Sequence, residues 1–249
     1  MDYIDIIMPA YNCAKYIGQA IESVKRQSYK NWKLIIIEDK SEDNTKDEIK
    51  KYIKDIEEKV TFIELEKHRG VSLCRNTGIN KFNNRYIAFL DADDIWKEDK
   101  LEKQMSFMKD KKYVFTYTRY EYLKKGQAKE VKVMPKSLNY KEALKNTYIL
   151  TSTVMLDTNA INKEQILMPQ IESEDTATWW KILKNGFVAY GLNENLTTYR
   201  ITKNGLSNNK IINLKRTWNI YRKQEKLSIC KTLYNYINYI INAIIKRII

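Results

Sequence analysis

The sequence predicts an α/β fold: a central, mostly parallel sheet flanked by helices, with a C-terminal basic amphipathic helical tail. Three observations predict it. Four short apolar, β-branched runs recur over the first 100 residues, separated by segments with helical spacing. Polar clusters fall just past the ends of the first, second and fourth runs, at the strand ends where open α/β sheets meet their ligands. From Asn208 onward nine basic residues face one acid, so +8 of the net +13 charge lies in the tail.

Ile4-Asp5-Ile6-Ile7-Met8 reads as the first buried strand, stopped by Pro9, which has no N–H for the ladder. Within Lys15 to Gln27, Ile17, Ala20, Ile21 and Val24 fall at helical spacing. Leu34 to Ile37 is the second strand and ends in Glu38-Asp39. Thr45-Lys46-Asp47-Glu48 has the form of a capping box for a helix lined by Ile49, Tyr52, Ile53 and Ile56. Val60 to Leu65 is the third strand, and His68-Arg69-Gly70 leads into a helix carrying Arg75 and Asn76. Tyr86 to Leu90 is the fourth, followed by Asp91-Ala92-Asp93-Asp94, where Asp93 or Asp94 is expected to cap a helix from Ile95 to Lys103. This βαβαβαβ order requires a parallel sheet with right-handed crossovers.

Beyond Lys100 the pattern is mixed. A helix near Lys100 to Asp110 precedes strand-like Tyr113 to Tyr117, and Arg119 to Leu123 and Glu130 to Met134 flank a hairpin turn at Lys124-Lys125-Gly126-Gln127. Thr153 to Leu156 is a short strand, and Glu172-Ser173-Glu174-Asp175 precedes a helical run, Thr176 to Asn185, stopped by Gly186. Short strands at Val188 to Leu192 and Leu196 to Arg200 close the globular part. No Pro/Gly/Ser-rich linker intervenes, so residues 1–207 read as one domain with a nucleotide-binding half (1–100) and an acceptor half (101–207). Residues 208–249 form the tail.

A hydrophobic content of 43% with 30% charged residues excludes a disordered chain. The positive charge points to an anionic partner, but its concentration in the tail argues against nucleic acid bound across the whole body. Cys13, Cys74 and Cys230 are far apart with no Cys-x-x-Cys, so neither a disulfide framework nor a zinc site is expected and a reducing cytosol is the natural compartment. The N-terminus lacks the basic and apolar regions of a signal peptide, and no apolar run is long enough to span a bilayer. Composition sets no oligomeric state.

Three carboxylates at the end of a core strand require something to neutralise them. Asp-x-Asp offers hard oxygens to Mg²⁺ or Mn²⁺, which can in turn hold a diphosphate; the plain alternative is a solvated helix cap. Similar polar clusters fall at Pro9-Ala10-Tyr11-Asn12, Glu38-Asp39 and Glu174-Asp175. Strand ends at one edge of a parallel sheet converge in space, so residues far apart in sequence can build one site.

Taken together, these segments resemble an inverting family-2 glycosyltransferase of the GT-A fold, the nucleotide-diphospho-sugar transferase fold, of the bacterial surface-polysaccharide type. The resemblance is carried by Ile7-Met8-Pro9-Ala10-Tyr11-Asn12, Ile37-Glu38-Asp39-Lys40-Ser41-Glu42-Asp43-Asn44-Thr45, Arg75-Asn76-Thr77-Gly78, Phe89-Leu90-Asp91-Ala92-Asp93-Asp94, Glu174-Asp175 and Tyr199-Arg200, in the family's order. It implies that Pro9 and Tyr11 border a nucleobase, with the tyrosine as a stacking face. Asp39, beside Glu38, would accept from uracil N3–H, which implies a UDP-sugar donor. Gly70 and Arg75 would approach the base or the phosphates; the competing reading is that Arg75 pairs with an acid on the helix surface. In the Asp91-Ala92-Asp93-Asp94 motif, Asp91 would reach the ribose and Asp93 the metal, Mn²⁺ or Mg²⁺. Asp175 would be the general base. Glu174 would contact the acceptor or support the helix start, and Trp179 and Trp180 would stack on an acceptor sugar or fill the core. Arg200 or Lys203 would bind phosphate.

The chain also departs from the family pattern. Glu38 stands where Asp is commoner and Lys40 where a small residue is usual, and no histidine occurs in the loop after Arg200. The single histidine, His68, is expected to be an ordinary loop residue. No Gln-x-x-Arg-Trp segment occurs, which disfavours a processive polymer synthase.

In the tail, Lys231, Asn235, Asn238, Asn242 and Lys246 form one polar stripe of a helix. Leu233, Tyr234, Tyr236, Ile237, Tyr239, Ile240, Ile241, Ile244 and Ile245 cover the rest. Such a helix suits an anionic membrane surface, with tyrosines at the headgroup level; packing on the body or on a second subunit is the alternative. The expectation is therefore a cytoplasmic enzyme, peripheral to the inner face of the cell membrane, that transfers a sugar from a UDP-sugar to a lipid-linked glycan. No nucleic-acid partner is expected. The competing class is a non-catalytic nucleotide- or RNA-binding α/β protein.

Overall fold

The structure is a computed structural model that describes residues 2–132, 134–146, 148–202 and 210–248. In chain order it comprises β1 (Ile4–Ala10), α1 (Ala14–Lys25), β2 (Trp32–Glu38), α2 (Thr45–Ile53), β3 (Val60–Glu64), α3 (Val71–Lys81), β4 (Tyr86–Phe89) and β5 (Ile95–Trp96). Next come α4 (Lys100–Lys111), β6 (Phe115–Lys124), β7 (Gln127–Glu130), β8 (Ser137–Leu138), α5 (Tyr140–Ala143), β9 (Met155–Asp157) and α6 (Lys163–Ile166). The chain continues with α7 (Glu174–Lys184), β10 (Ala189–Arg200), α8 (Lys210–Asn219) and α9 (Ile229–Ile248).

One sheet runs β3-β2-β1-β4-β9-β6-β10-β5, with β7 beside β6 and β8 beside β10. β3, β2, β1 and β4 are mutually parallel, β9 is antiparallel to both β4 and β6, and β6 is parallel to β10. The two-residue period of the strands divides the core. Ile4, Ile6 and Met8 of β1 pack with α1, α2 and α4, whereas Ile7 joins Ile35, Ile37, Ile87 and Phe89 on the opposite face with α3 and α7. Gly78 lets α3 lie close to the sheet, since a Cβ there would meet Ile7 Cγ2 at 2.8 Å and Ile37 Cδ1 at 2.9 Å. Asp5, on the Ile7 face and 2% exposed, is satisfied by the backbone N–H groups of Asn83 and Asn84 and by the Asn84 amide.

Several local expectations change. Pro9 does not end β1, which pairs with β2 as far as Ala10. Leu90 N–H donates to Ile7 O, and Asp39 N–H to Ala10 O. Odd-numbered backbone groups of β1 therefore face β4, and the missing N–H of Pro9 points past Ile7↔Phe89, the last β1–β4 pair. Thr45 caps nothing. Asn44 precedes α2, and the Thr45 hydroxyl accepts from Cys13 N–H at 2.8 Å and donates to Asp43 at 2.5 Å, tying α1 to this loop.

The helix expected at Ile95 starts at Lys100, because Ile95 and Trp96 are taken by β10 as strand β5; Asp99, not Asp93 or Asp94, precedes it. β6 is one strand where two were expected, and β10 likewise, its alternation broken by register shifts near Asn195. The hairpin turn is confirmed at Lys125 (φ 50°) and Gly126 (φ 80°), with β7 starting three residues before its expected position.

The segment from Lys210 shares the body's core. Tyr221, fully buried, stacks on Trp180 with ring centroids 5.2 Å apart, and Glu225 receives the Tyr140 hydroxyl at 2.5 Å and Lys184 Nζ at 2.9 Å.

Lys100 is the least expected core residue. It is fully buried, its Nζ lies 3.8 Å from the Trp96 ring centroid, and it has no hydrogen-bond partner among the described residues. Burial pushes its amine well below the ordinary value of 10.5. With its pKa depressed by burial, Lys100 binds less proton in the folded than in the unfolded chain, so its contribution makes stability rise with pH toward the ordinary lysine value. Lys100→Met is expected to raise unfolding free energy at pH 7 by about 1–3 kcal/mol. Denaturant titrations should show that gain shrinking as pH approaches the ordinary lysine value.

Candidate active site

β1, β2 and β4 end at the same sheet edge, and their outgoing loops form one wall of the site. The second wall is the one-turn 3₁₀ helix Thr151–Thr153 and the start of α7. A buried arginine joins them. Arg75, one turn before Gly78, donates from Nη2 to Asp91 Oδ1 and from Nη1 to Glu174 Oε1, both at 2.5 Å. Burial works against its charge, but Asp91 and Glu174 more than offset this and hold the guanidinium above its ordinary range.

This geometry corrects two expectations. Arg75 is 4% exposed and spends its charge on two carboxylates, so it braces the site from behind instead of facing a base or phosphate. Its partners are not on its own helix surface either. Glu174, 8% exposed, is the other end of the brace and not an acceptor contact. Burial, reinforced by the charge of Asp175, lifts the Glu174 carboxyl above its usual range despite Arg75.

The Asp91 loop is held from two further sides. Ser152 Oγ accepts from Asp91 N–H at 3.1 Å and donates to Asp94 Oδ2 at 2.5 Å. Arg200 N–H donates to Asp94 Oδ1 at 3.0 Å. Asp94 is fully buried; desolvation, with the charges of Asp93 and Asp91, raises its carboxyl well above the usual range. It is an internal strut, not a helix cap. Ala92 packs into the core and offers a ligand no side chain. Asp91 and Asp93 remain partly exposed. Desolvation and the neighbouring Asp91 push Asp93 up to about 6. Arg200 runs alongside, donating from Nε to Asp93 O at 3.0 Å and from Nη2 to Gln19 Oε1 at 2.6 Å, with its guanidinium 4.9 Å from the Tyr16 ring centroid.

At the β2 end, Asp39 is 1% exposed, and its carboxylate accepts Arg69 N–H at 2.7 Å and Gly70 N–H at 2.8 Å. Gly70 has φ +84°, a conformation L side chains rarely adopt, and begins α3. Glu38 Oε1 accepts from Ser41 N–H at 2.6 Å and Oε2 from Lys40 N–H at 3.2 Å, so the longer acid closes this turn while the Lys40 side chain points outward. Pro9 is buried, and Tyr11 is 40% exposed. The His68 ring stacks on Tyr11 with centroids 4.0 Å apart, and its Nδ1 lies 2.9 Å from Asp39 Oδ2. The histidine therefore belongs to this end of the site, although the sequence reading placed it in an ordinary loop.

Asp175, partly exposed, accepts from the Thr151 hydroxyl at 2.9 Å and from Thr176 N–H at 2.6 Å. Thr151 and Ser152 were not anticipated. Their only signal is Thr151-Ser152-Thr153 before a strand, which is too common to single out. Trp179 and Trp180 are 1% and 2% exposed, so neither presents a face to a sugar. Trp179 packs against Phe89 and Phe115, anchoring α7 to the sheet, and Trp180 packs on Tyr221. Lys203 and the loop to Ser207 lie outside the described residues. Beside the start of α7 a cleft of about 350 Å³ opens between residues 170–172 and the turn from Asn219 to Gln224.

A parallel sheet whose carboxyl-end loops carry an Asp-x-Asp, facing a wall that presents a partly exposed carboxylate, defines a glycosyltransferase of the GT-A fold. The description Glycosyl transferase family 2 matches residues 5–168, and the chain belongs to that family. It is 41% identical over 248 residues to the glycosyltransferase TuaG of Bacillus subtilis, named for teichuronic acid biosynthesis, covering 98% of this chain and 97% of the relative. It is also 34% identical over 248 residues to Escherichia coli WfgD, named as a UDP-Glc:α-D-GlcNAc-diphosphoundecaprenol β-1,3-glucosyltransferase, covering 99% and 96%. Among solved structures, S. aureus TarS 1–349 in complex with UDP-GlcNAc aligns with a TM-score of 0.70 at 17% identity, over 82% of this chain and 60% of that one. The mannosyltransferase PcManGT of Pyrobaculum calidifontis, in complex with GDP-Man and Mn²⁺, aligns at 0.71 with 15% identity, over 91% and 65%. At those identities the likeness is one of fold. Membership of the family sets aside the non-catalytic nucleotide- or RNA-binding alternative.

Removing one member of a buried ion network leaves the others uncompensated. Arg75→Met is expected to cost about 3–5 kcal/mol of stability, and Glu174→Gln clearly less, because an amide can still accept from the guanidinium. Chemical denaturation of the two variants checks the order.

Proposed function

We propose that this enzyme transfers a sugar from a UDP-sugar to a hydroxyl of a glycan carried on a lipid diphosphate, with inversion at the anomeric carbon. The observation that carries the reading is the Arg75 brace, which ties the Asp91 loop to the residue adjoining Asp175. A donor's diphosphate and an acceptor's hydroxyl can therefore meet between the two walls. The lipid-linked acceptor is supported by WfgD, whose name specifies diphosphoundecaprenol, and the uridine donor by that name and by the UDP-GlcNAc complex of TarS.

The proposed chemistry uses the chain's own groups as follows. Tyr11, with His68 at its ring, and the Asp39 turn border the nucleobase. Asp91 lies toward the ribose and Arg200 toward the phosphates. Asp175 takes the proton of the acceptor hydroxyl as its oxygen bonds to the anomeric carbon; the bond from that carbon to the diphosphate oxygen breaks on the opposite face and UDP departs. One in-line displacement inverts the centre and needs no enzyme nucleophile, so a single placed base suffices. Thr151, donating to Asp175, fixes the direction of that base.

Among the described residues no three His, Cys, Asp or Glu side chains gather as a self-sufficient metal site. The hard carboxylate oxygens of Asp93 and Asp91 nevertheless suit Mg²⁺ or Mn²⁺, whose shell is usually completed by substrate phosphate and water. Two acids close enough for Asp91 to raise Asp93 have a repulsion that a divalent cation relieves. When bound, the metal would supply Lewis-acid stabilisation of the departing diphosphate. The enzyme would work at the cytoplasmic face of the membrane, where such an acceptor is anchored.

The test is release of UDP from a panel of UDP-sugars with Mn²⁺ and a lipid-diphosphate-linked acceptor. Asp175→Asn is expected to reduce transfer at least 10³-fold, on the order of the loss of a catalytic base, while UDP binding by calorimetry is retained; surviving transfer would remove Asp175 from the mechanism. Asp93 must be ionised to hold a cation. Mn²⁺ affinity measured with UDP present is therefore expected to be full above a pH of about 6 and to fall roughly tenfold per pH unit below it. A flat profile from pH 7 to 5 contradicts the assignment of Asp93.

A further inference from the structure

α9 docks with its polar side inward. Thr232, Asn235 and Tyr239 are buried against the body, and Asn242 Nδ2 donates to Lys145 O at 2.9 Å. Tyr236, half-buried, packs at the edge of Trp218 and donates to Leu214 O at 3.2 Å. Two of the tyrosines expected at a headgroup layer are thus turned toward the protein. On the opposite arc, Ile229, Leu233, Ile237, Ile241 and Ile244, with Tyr234 beside them, are each 45% to 60% exposed. At about 100° per residue they form one ridge, and from Ile229 to Ile244 it runs roughly 22 Å along the helix. Burying asparagine while leaving isoleucine in water inverts the usual order, and a continuous apolar face of this kind is a docking surface.

We infer that the ridge seats in an anionic lipid surface, with α9 lying in the plane of the membrane. The charge around it selects that occupant. No Asp or Glu follows Glu225, and the carboxylate of Glu225 is itself taken by Tyr140 and Lys184. Lys226 is exposed one turn before Ile229, Lys231 is exposed in the first turn of the helix on the flank away from the ridge, and Lys145 Nζ lies 5.1 Å from the Tyr234 ring centroid. A second copy meeting this one ridge to ridge would bring those cations together without an acid to offset them. Anionic headgroups offset them, and the acyl boundary receives the isoleucines. No helix among the described residues is long and apolar enough to cross a membrane, which fits a helix lying in its surface. The purpose of the contact rests on the proposed lipid-linked acceptor. α9 follows closely on the π-helical segment Ile220–Gln224 that walls the cleft beside α7, and an enzyme seated in the lipid surface meets an acceptor anchored there.

Cys230 lies on the outward arc and is exposed, whereas Cys13 and Cys74 are buried, so a thiol-reactive, polarity-sensitive fluorophore attached to the full chain reads this face alone. On adding vesicles of mixed phosphatidylglycerol and phosphatidylcholine, emission is expected to shift to the blue and the unlabelled protein to sediment with the vesicles. Both responses should weaken with salt and be much smaller on phosphatidylcholine alone. Ile237→Ser with Ile241→Ser is expected to lower the vesicle partition coefficient about tenfold or more, with thermal midpoint and circular dichroism unchanged because both side chains are exposed. The proposal is overturned by absence of binding to anionic vesicles, by binding that ignores headgroup charge, or by a blue shift that grows with protein concentration alone as a dimer forms. Vesicle binding requires neither donor nor turnover. Its failure would leave the transferase reading intact, and absence of UDP-sugar turnover would leave the lipid contact intact.

Discussion

The site depends on a cation that never reaches its surface. Arg75 lies between Asp91, at the end of the fourth strand, and Glu174, at the start of a helix a hundred residues later. A buried ion network of this kind is poor evidence for stability, since desolving three charged groups costs about as much as their attraction returns. Its value is positional. It leaves Asp93 and Asp175, each close in sequence to a braced acid, partly exposed and free of the arginine. Gly78 serves the same end, because only a side chain without Cβ lets α3 approach the sheet closely enough to bury the arginine one turn earlier.

Around this brace, small hydroxyl residues set the remaining directions. Thr151 holds Asp175, and Ser152 holds both the Asp91 backbone and the Asp94 carboxyl. Their positions come from a single 3₁₀ turn leading into the antiparallel strand β9, which inserts between β4 and β6 where the parallel run of the sheet stops. The strand order reverses between β1 and β4, the kind of switch point at which open α/β sheets bind ligands. Pro9 lies there: with no N–H to give toward β4, it sits where those two strands have ceased to pair. A proline inside a central strand is thus accommodated at that switch point, and reading it as a strand terminator misjudged only which neighbour it faced.

Most of the first hundred residues were legible because the strand periods there are strong and β1, β2 and β4 are buried on both faces. The exceptions share a cause. Thr45 has the spacing of a capping box, yet its hydroxyl is drawn to Cys13, 32 residues away. Ile95 looks like the first turn of a helix until β10 claims it as an edge pair. Asp94, Glu174, Trp179 and Trp180 have residue types fit for ligand contact, and burial assigns them to support instead. A side chain's type limits its chemistry, while its exposure is decided by contacts with residues distant in the chain.

By itself, the sequence determined the α/β class, the family and the sheet edge at which polar residues collect, because these follow from periodicity and from polar residues placed at strand ends. Tertiary structure alone decided which acids face the cleft and which are struts, that the single histidine stacks on Tyr11, and that α9 shows its isoleucines to the outside. The physical reason is the same in each case: desolvation, ion pairing and helix orientation depend on neighbours in space, and no local pattern encodes them.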